Sequence, residues 1–254
     1  MKKTVLFTIP LLSLGLIGSS AVHAATDGSN PDPANRETPV TATLTIEGTN
    51  PMPPDPDTNG PKPTDPNTPN PSPKGPFGIS YVPIEFSTEA TSLNDSGEQT
   101  IDFKPNKDGD SFHVGVKDKT RDKKGWNLTA SLNWDTAPIG SSIKFNNQTG
   151  STPDAEPIKN NVGNDSAAKL ESLTVQNGAG QISSGATDGV ISISTDGTAS
   201  NIMSAKTLTS ATASYHGVYD YKIGKASLFI PETSKVKAGT YTGGKVDWNL
   251  ALVP

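Results

Sequence analysis

The sequence contains no cysteine. Disulfides are therefore excluded in any oxidising compartment, and the fold must hold by packing alone, which fits an export route that does not rely on oxidative folding. Histidine is nearly as scarce: of three, only His113 and His216 lie beyond the first 24 residues, each isolated in sequence. No Cys/His arrangement, G-x-S-x-G or H-E-x-x-H is present, so nothing marks a metal site, a cofactor site or a catalytic nucleophile. Lys107–Asp110 carries the Asp-Gly-Asp of a calcium loop without its spacing or distal Glu, and reads as a hairpin turn. Only 32% of residues are hydrophobic, against 22 prolines and 24 glycines, so part of the chain cannot be packed core. A net charge of -5 argues against nucleic acid or an anionic membrane as partner.

The one apolar run, Val5–Ile17, follows Lys2 and Lys3 and precedes Val22-His23-Ala24. It is short for a membrane span and is broken by Pro10, so residues 1–24 read as a secretory signal peptide cleaved before Ala25. The mature chain is then expected to be exported, with no transmembrane segment. Residues 25–37 read as a disordered leader. From residue 38 to 254 a single domain is expected, in which Val40–Ile46 alternates apolar residues with threonine as a first strand would. Asn50–Pro76 holds 11 prolines in 27 residues and almost no apolar side chains. It reads as a linker or, preferably, as a solvated loop between sheet strands, since an isolated strand at 40–46 would have nothing to pair with.

What is plentiful is alternation with a period of two. Gly125–Trp134, GWNLTASLNW, puts Trp126, Leu128, Ala130, Leu132 and Trp134 on one face and Asn127, Thr129, Ser131 and Asn133 on the other. Lys245–Val253 repeats the pattern with Val246, Trp248, Leu250 and Leu252, and the tripeptide WNL recurs. Further strands are predicted at Ile79–Phe86, Gln99–Phe103, Phe112–Val116, Ser142–Phe145, Leu173–Gln176, Val190–Ser194, Tyr219–Ile223, Ala226–Ile230 and Gly239–Val253. Asp108-Gly109, Asn177-Gly178, Asp188-Gly189 and Asp196-Gly197 supply turns. A long loop is expected over Asn146–Asp165, a helical turn within Ala167–Leu173, and a solvated turn over Lys117–Lys124. Helical periodicity is otherwise missing. The fold class is all-β, an antiparallel sandwich or barrel-like domain with long loops.

Two readings of the WNL strands stay open. Trp126 and Trp248 share a face with Leu, Ala and Val and would serve as core through their apolar area. Alternatively the indoles form a stacking platform for a sugar or peptide, or the polar parity of Asn127, Thr129, Asn133, Asp247 and Asn249 reads a polar ligand. Tyr215, Tyr219 and Tyr221 are either cross-strand packing or a sugar-contact patch.

GWNLTASL, with the closing run KASLFIPETSKVKAGTYTGGKVDWNLALV after a proline-rich region and a signal peptide, resembles the WxL-domain surface proteins of low-GC Gram-positive bacteria. The resemblance implies a β-rich domain that attaches non-covalently to the cell wall through peptidoglycan. It also implies work beside other WxL proteins and membrane-anchored companions. The motif residues it marks are Trp126 with Leu128 and Trp248 with Leu250, with Asn127, Asn249 and Tyr241 as secondary candidates. The family's second motif carries a Tyr in register with its Trp, whereas Tyr241 lies seven residues before Trp248, on the opposite face of a regular strand; a bulge at Gly243-Gly244 would restore the register. The end LALVP lacks an L-P-x-T-G signal, so attachment is expected to be non-covalent. A structural subunit of a surface complex is the alternative; a wall hydrolase using carboxylates such as Glu85 and Asp102 is a remoter one.

Overall fold

A computed structural model describes residues 40–44, 75–105, 111–162, 169–210 and 213–253. The chain divides into two units, Met1–Leu44 and Thr45–Pro254. Of the first, Val40–Leu44 carries no strand and is exposed, so the described part of the expected first strand is not one. The signal peptide, the leader, most of the proline-rich run and the Lys107–Asp110 turn lie outside the described residues.

The second unit is all-β and antiparallel. Its strands are β1 (Phe77–Tyr81), β2 (Gln99–Asp102), β3 (Phe112–Asp118), β4 (Trp126–Asn133), β5 (Ser142–Asn146), β6 (Gln148–Thr149) and β7 (Thr152–Pro153). They continue with β8 (Ile158–Val162), β9 (Lys169–Glu171), β10 (Ile182–Ser184), β11 (Val190–Ser194), β12 (Ser200–Ala205), β13 (Gly217–Ile230) and β14 (Lys245–Leu252). Two sheets face each other: an eight-stranded one built around β13, and a four-stranded one in the order β10-β12-β4-β14. Neither closes on itself, so the architecture is a sandwich and the barrel alternative falls.

β13 organises the larger sheet because Gly224 breaks its alternation. There φ is +74, and an added Cβ would meet the Asn146 carbonyl oxygen at 2.5 Å, so only glycine fits. Tyr219, Tyr221 and Ile223 point into the core before this kink, and Ala226, Leu228 and Ile230 after it, a change of parity. The first half pairs with β3 and β8, the second with β2 and β5. What reads in sequence as two strands, Tyr219–Ile223 and Ala226–Ile230, is one bent strand.

Other differences have equally local causes. Asn146–Asp165 is no open loop: polar β6, β7 and β8 form there, β8 held by backbone pairing to β13 and β9. Lys169–Glu171 is a strand rather than part of a helical turn, and Val175–Asn177 is a 3-10 turn closed by Gly178 at φ +103. The serine-rich β10 and β12, which lack apolar alternation, were not predicted. Lys117 and Asp118 end β3, Lys119 follows it, and all three are buried; only Arg121–Lys124 is the solvated stretch expected here.

On the face of β3 and β13 turned from the core, Tyr81 lies over Gly115 and donates its hydroxyl to Asp220 Oδ1 at 2.8 Å. His113 Nδ1 meets Asp220 Oδ2 at 2.8 Å, so this histidine, isolated in sequence, gains a buried carboxylate partner in the fold. Burial and the neighbouring Asp220 charge push the Tyr81 phenol well above its usual range. A Cβ at Gly115 would fall 2.5 Å from Tyr81 Cζ. Gly115→Ala is therefore expected to displace the ring and strip Asp220 of a donor, costing about 1–3 kcal/mol in urea denaturation; an unchanged midpoint would show that Gly115 is not required for this packing.

Candidate functional site

β4 and β14 run side by side in unbroken antiparallel register from Lys245 opposite Asn133 to Leu252 opposite Trp126. The two WNL motifs thus meet directly. Leu250 faces Leu128 and Asn249 faces Thr129, while Trp248 faces Ala130, four positions along β4 from Trp126, or roughly 13 Å.

The two indoles have different surroundings. Trp126 is fully buried, with ring centroids 6.5 Å from Tyr215 and 5.9 Å from Tyr219, and those tyrosines meet edge-on at 5.9 Å. Burying an aromatic of 150–250 Å² at about 25 cal/mol per Å² is worth about 4–6 kcal/mol, an upper estimate. Trp248, on a strand that pairs on one side only among the described residues, is half-buried and stacks on Phe145 of β5 at 6.0 Å and 8°. Leu128 is buried and Leu250 half-buried. The motif apolar side chains are core or packed against it, and join the two sheets.

The polar parity faces outward. Asn127, Asn133, Asp247 and Asn249 are exposed, and the Thr129 hydroxyl reaches the Asn249 carbonyl at 3.4 Å. Tyr241 is not on β14. It sits in the preceding loop, its hydroxyl donating to the Lys237 carbonyl at 2.6 Å. Gly243, at φ +83, turns the chain before the strand begins, so the expected bulge within a strand is absent. Tyr215 and Tyr219 are packing, and Tyr221 is buried where the Asn147 side chain donates to its hydroxyl at 3.3 Å.

Beneath Trp126 lies Asp118, buried, its carboxylate accepting from the Thr120 hydroxyl at 2.6 Å and backbone N–H at 3.1 Å. Burial raises its pKa more than these bonds and the facing indole lower it. Burial and the Asp118 charge push the Tyr215 phenol up to about 12, and burial lifts Tyr219 beyond that range. These phenols stay protonated at neutral pH. Glu85 and Asp102, the carboxylates named for a hydrolase, are both exposed.

The third tryptophan is where the surface becomes concave. Trp134 follows β4, donates its indole N–H to the Thr242 carbonyl at 3.1 Å, and lies against Gly244, where a Cβ would come within 2.7 Å of the ring. Three cavities of about 530, 550 and 600 Å³ all include it in their walls. Sequence reading placed Trp134 in the strand alternation and missed this role; the turn residues Asp135 and Pro138 just after it were the available signal. Among the described residues no three His, Cys, Asp or Glu side chains gather as a metal site.

The model of WxL domain surface cell wall-binding proteins matches residues 32–254. The chain belongs to this family. No curated protein matches it, and no solved structure does. A WxL domain implies a non-catalytic, cell wall-binding surface protein, so a wall partner and a place at the cell surface follow. Among the described residues no helix of this WxL domain is long and apolar enough to cross a membrane.

Two consequences are measurable. Trp126→Ala is expected to cost about 3–5 kcal/mol in urea denaturation, whereas Asn127→Ala should stay within about 0.5 kcal/mol. The second concerns Asp118. Its folded pKa lies above the ordinary 3.8, so the native state holds more protons between the two values and loses stability as pH rises through that window. Asp118→Asn should flatten this fall in the melting temperature above pH 4; an unaltered pH profile would show that the carboxylate is not the group responsible.

Proposed function

We propose that this WxL domain attaches the exported chain non-covalently to peptidoglycan, without catalysis, after the signal peptide of residues 1–24 is removed. The observation that carries this reading is the family match over nearly the whole chain. Trp126, Leu128, Trp248 and Leu250 join the sheets, which supports assigning contact with the wall to the surface they brace. Asn127 and Asn249 lie on the outward face of the sheet, and Tyr241 lies beside the cleft. Other WxL-type or membrane-anchored proteins are the natural companions.

A second reading, a structural subunit of a surface complex with weak wall affinity, is favoured by one feature. Among the described residues β14 pairs only with β4, and its other edge offers backbone groups to a further strand.

Incubation with purified sacculi separates the readings. The protein is expected to sediment with the sacculi and leave their turbidity unchanged. Falling turbidity would establish a hydrolase. Protein left in the supernatant, yet recovered with another exported protein from intact envelopes, would favour the subunit.

A further inference from the structure

The burial of this domain is unfinished at one end. More than half of the partly buried apolar side chains packed on the core, among them Phe86, Leu93, Trp134 and Val236, line two cavities of about 600 and 550 Å³. These cavities share Phe86, Phe103, Trp134 and Tyr241 in their walls, so they form one cleft. It runs between the loop joining β1 to β2 and the loop joining β13 to β14. Their combined size exceeds that of an ordinary small-molecule pocket, roughly 300–1,000 Å³, and suits a short run of linked rings.

Both walls are held in place. On one side Lys104 pairs with Glu89 at 2.5 Å and the Lys104 N–H reaches the Ser87 carbonyl at 2.9 Å. On the other, Trp134 Nε1 and the Thr136 hydroxyl both donate to the Thr242 carbonyl, at 3.1 and 3.0 Å. The cleft is thus preformed rather than assembled by its occupant. Its fixed charges nearly cancel. Around the larger cavity only Glu89, already paired, and Lys237 are charged, while Thr88, Thr91, Ser92 and Thr240 present hydroxyls. The smaller cavity adds Glu85, Lys245 and Asp247, exposed like Lys237, so an anionic polymer would find no cationic cluster in the cleft, and a charged peptide only single, solvent-screened charges. Aromatic walls with a neutral hydroxyl rim instead match a ligand whose rings have apolar C–H faces and whose edges carry hydroxyl and amide groups.

We infer that the cleft around Trp134 and Tyr241 is the wall-binding site of this domain and that it takes the glycan strand, a chain of N-acetylated amino sugars, rather than the peptide stems. This rests on the peptidoglycan reading above. Trp134 and Tyr241 supply the faces on which sugar rings lie, and the hydroxyl rim bonds the acetamido and hydroxyl groups.

The test pairs two probes, intact sacculi in sedimentation and a soluble oligosaccharide of β-linked N-acetylglucosamine in a tryptophan-fluorescence titration, with free stem peptide titrated in parallel as the comparison. Three variants of the full chain are compared after their melting temperatures are measured. Trp134→Ala removes the stacking face, Ala238→Trp fills the cleft from an exposed position on its rim, and Asn249→Arg alters the outward face of β14. The oligosaccharide is expected to shift the emission of the native protein. The two cleft variants should weaken binding of both probes about tenfold or more, as for an anchoring aromatic, and Asn249→Arg should not. If Trp134→Ala unfolds, Ala238→Trp decides. Native sedimentation with no loss in folded cleft variants would overturn the cleft and leave the wall reading standing, as would loss only in Asn249→Arg. Binding of stem peptide but not of the sugar would overturn the glycan assignment. Sugar binding without sedimentation would sink the peptidoglycan reading and keep the cleft, and failure of both probes would sink both.

Discussion

The contact between the indoles of the four-stranded sheet and the rings of the larger one is the constraint on which the rest depends. Trp126 meets Tyr215 and Tyr219 at one end of β4, and Trp248 stacks on Phe145 from β14. With no disulfide and few apolar residues, large aromatic areas must supply much of the cohesion between layers. The antiparallel pairing of β4 with β14 brings both indoles to the same inner face, so the two motifs act as one structural unit.

That arrangement turns the residues that mark the family toward the core and leaves others at the surface. The motif side chains turn inward, and the surface they brace is varied: a flat outward face of Asn, Ser and Thr, and a cleft where Trp134 and Tyr241 remain half-exposed. A buried indole holds two sheets at fixed spacing, whereas a half-exposed one keeps a face for something else. Of the three tryptophans, Trp126 is fully enclosed, whereas Trp248 at the sheet edge and Trp134 at the mouth of the cleft are both partly exposed.

The all-β class and the facing WNL strands were legible because period-two alternation is strong wherever one strand face is buried. It was blind where that condition fails. β8, β10 and β12 are short and rich in Asn and Ser, and each adds to its backbone pairing only a few core side chains, such as Ile158, Ile182 and Met203, too few for a pattern to show. β13 was cut in two because the parity change at Gly224 reads as a strand end. Lys117 and Lys119 were taken for solvated charges, and burial set by the tertiary fold overrides that default. Tyr241 was weighed as a strand residue, although Gly243 turns the chain before pairing begins. The cleft itself had no local signature, since its walls come from stretches far apart in sequence, around Phe86, Phe103, Trp134, Leu228 and Tyr241, that only the folded chain draws together.

The ladder that joins Trp126 to Leu252 spans half the polypeptide, and the ladder between β3 and β13 spans nearly as much. Such non-local topology makes assembly slow, on the millisecond-to-second side of the usual spread, because distant segments must meet before any contact rewards them. Of the described strands β14 leaves the ribosome last, and it is the neighbour on which β4 leans. Until it arrives, the nascent chain presents an unpaired, apolar sheet edge, and the step that completes the domain is also the one that hides its stickiest surface.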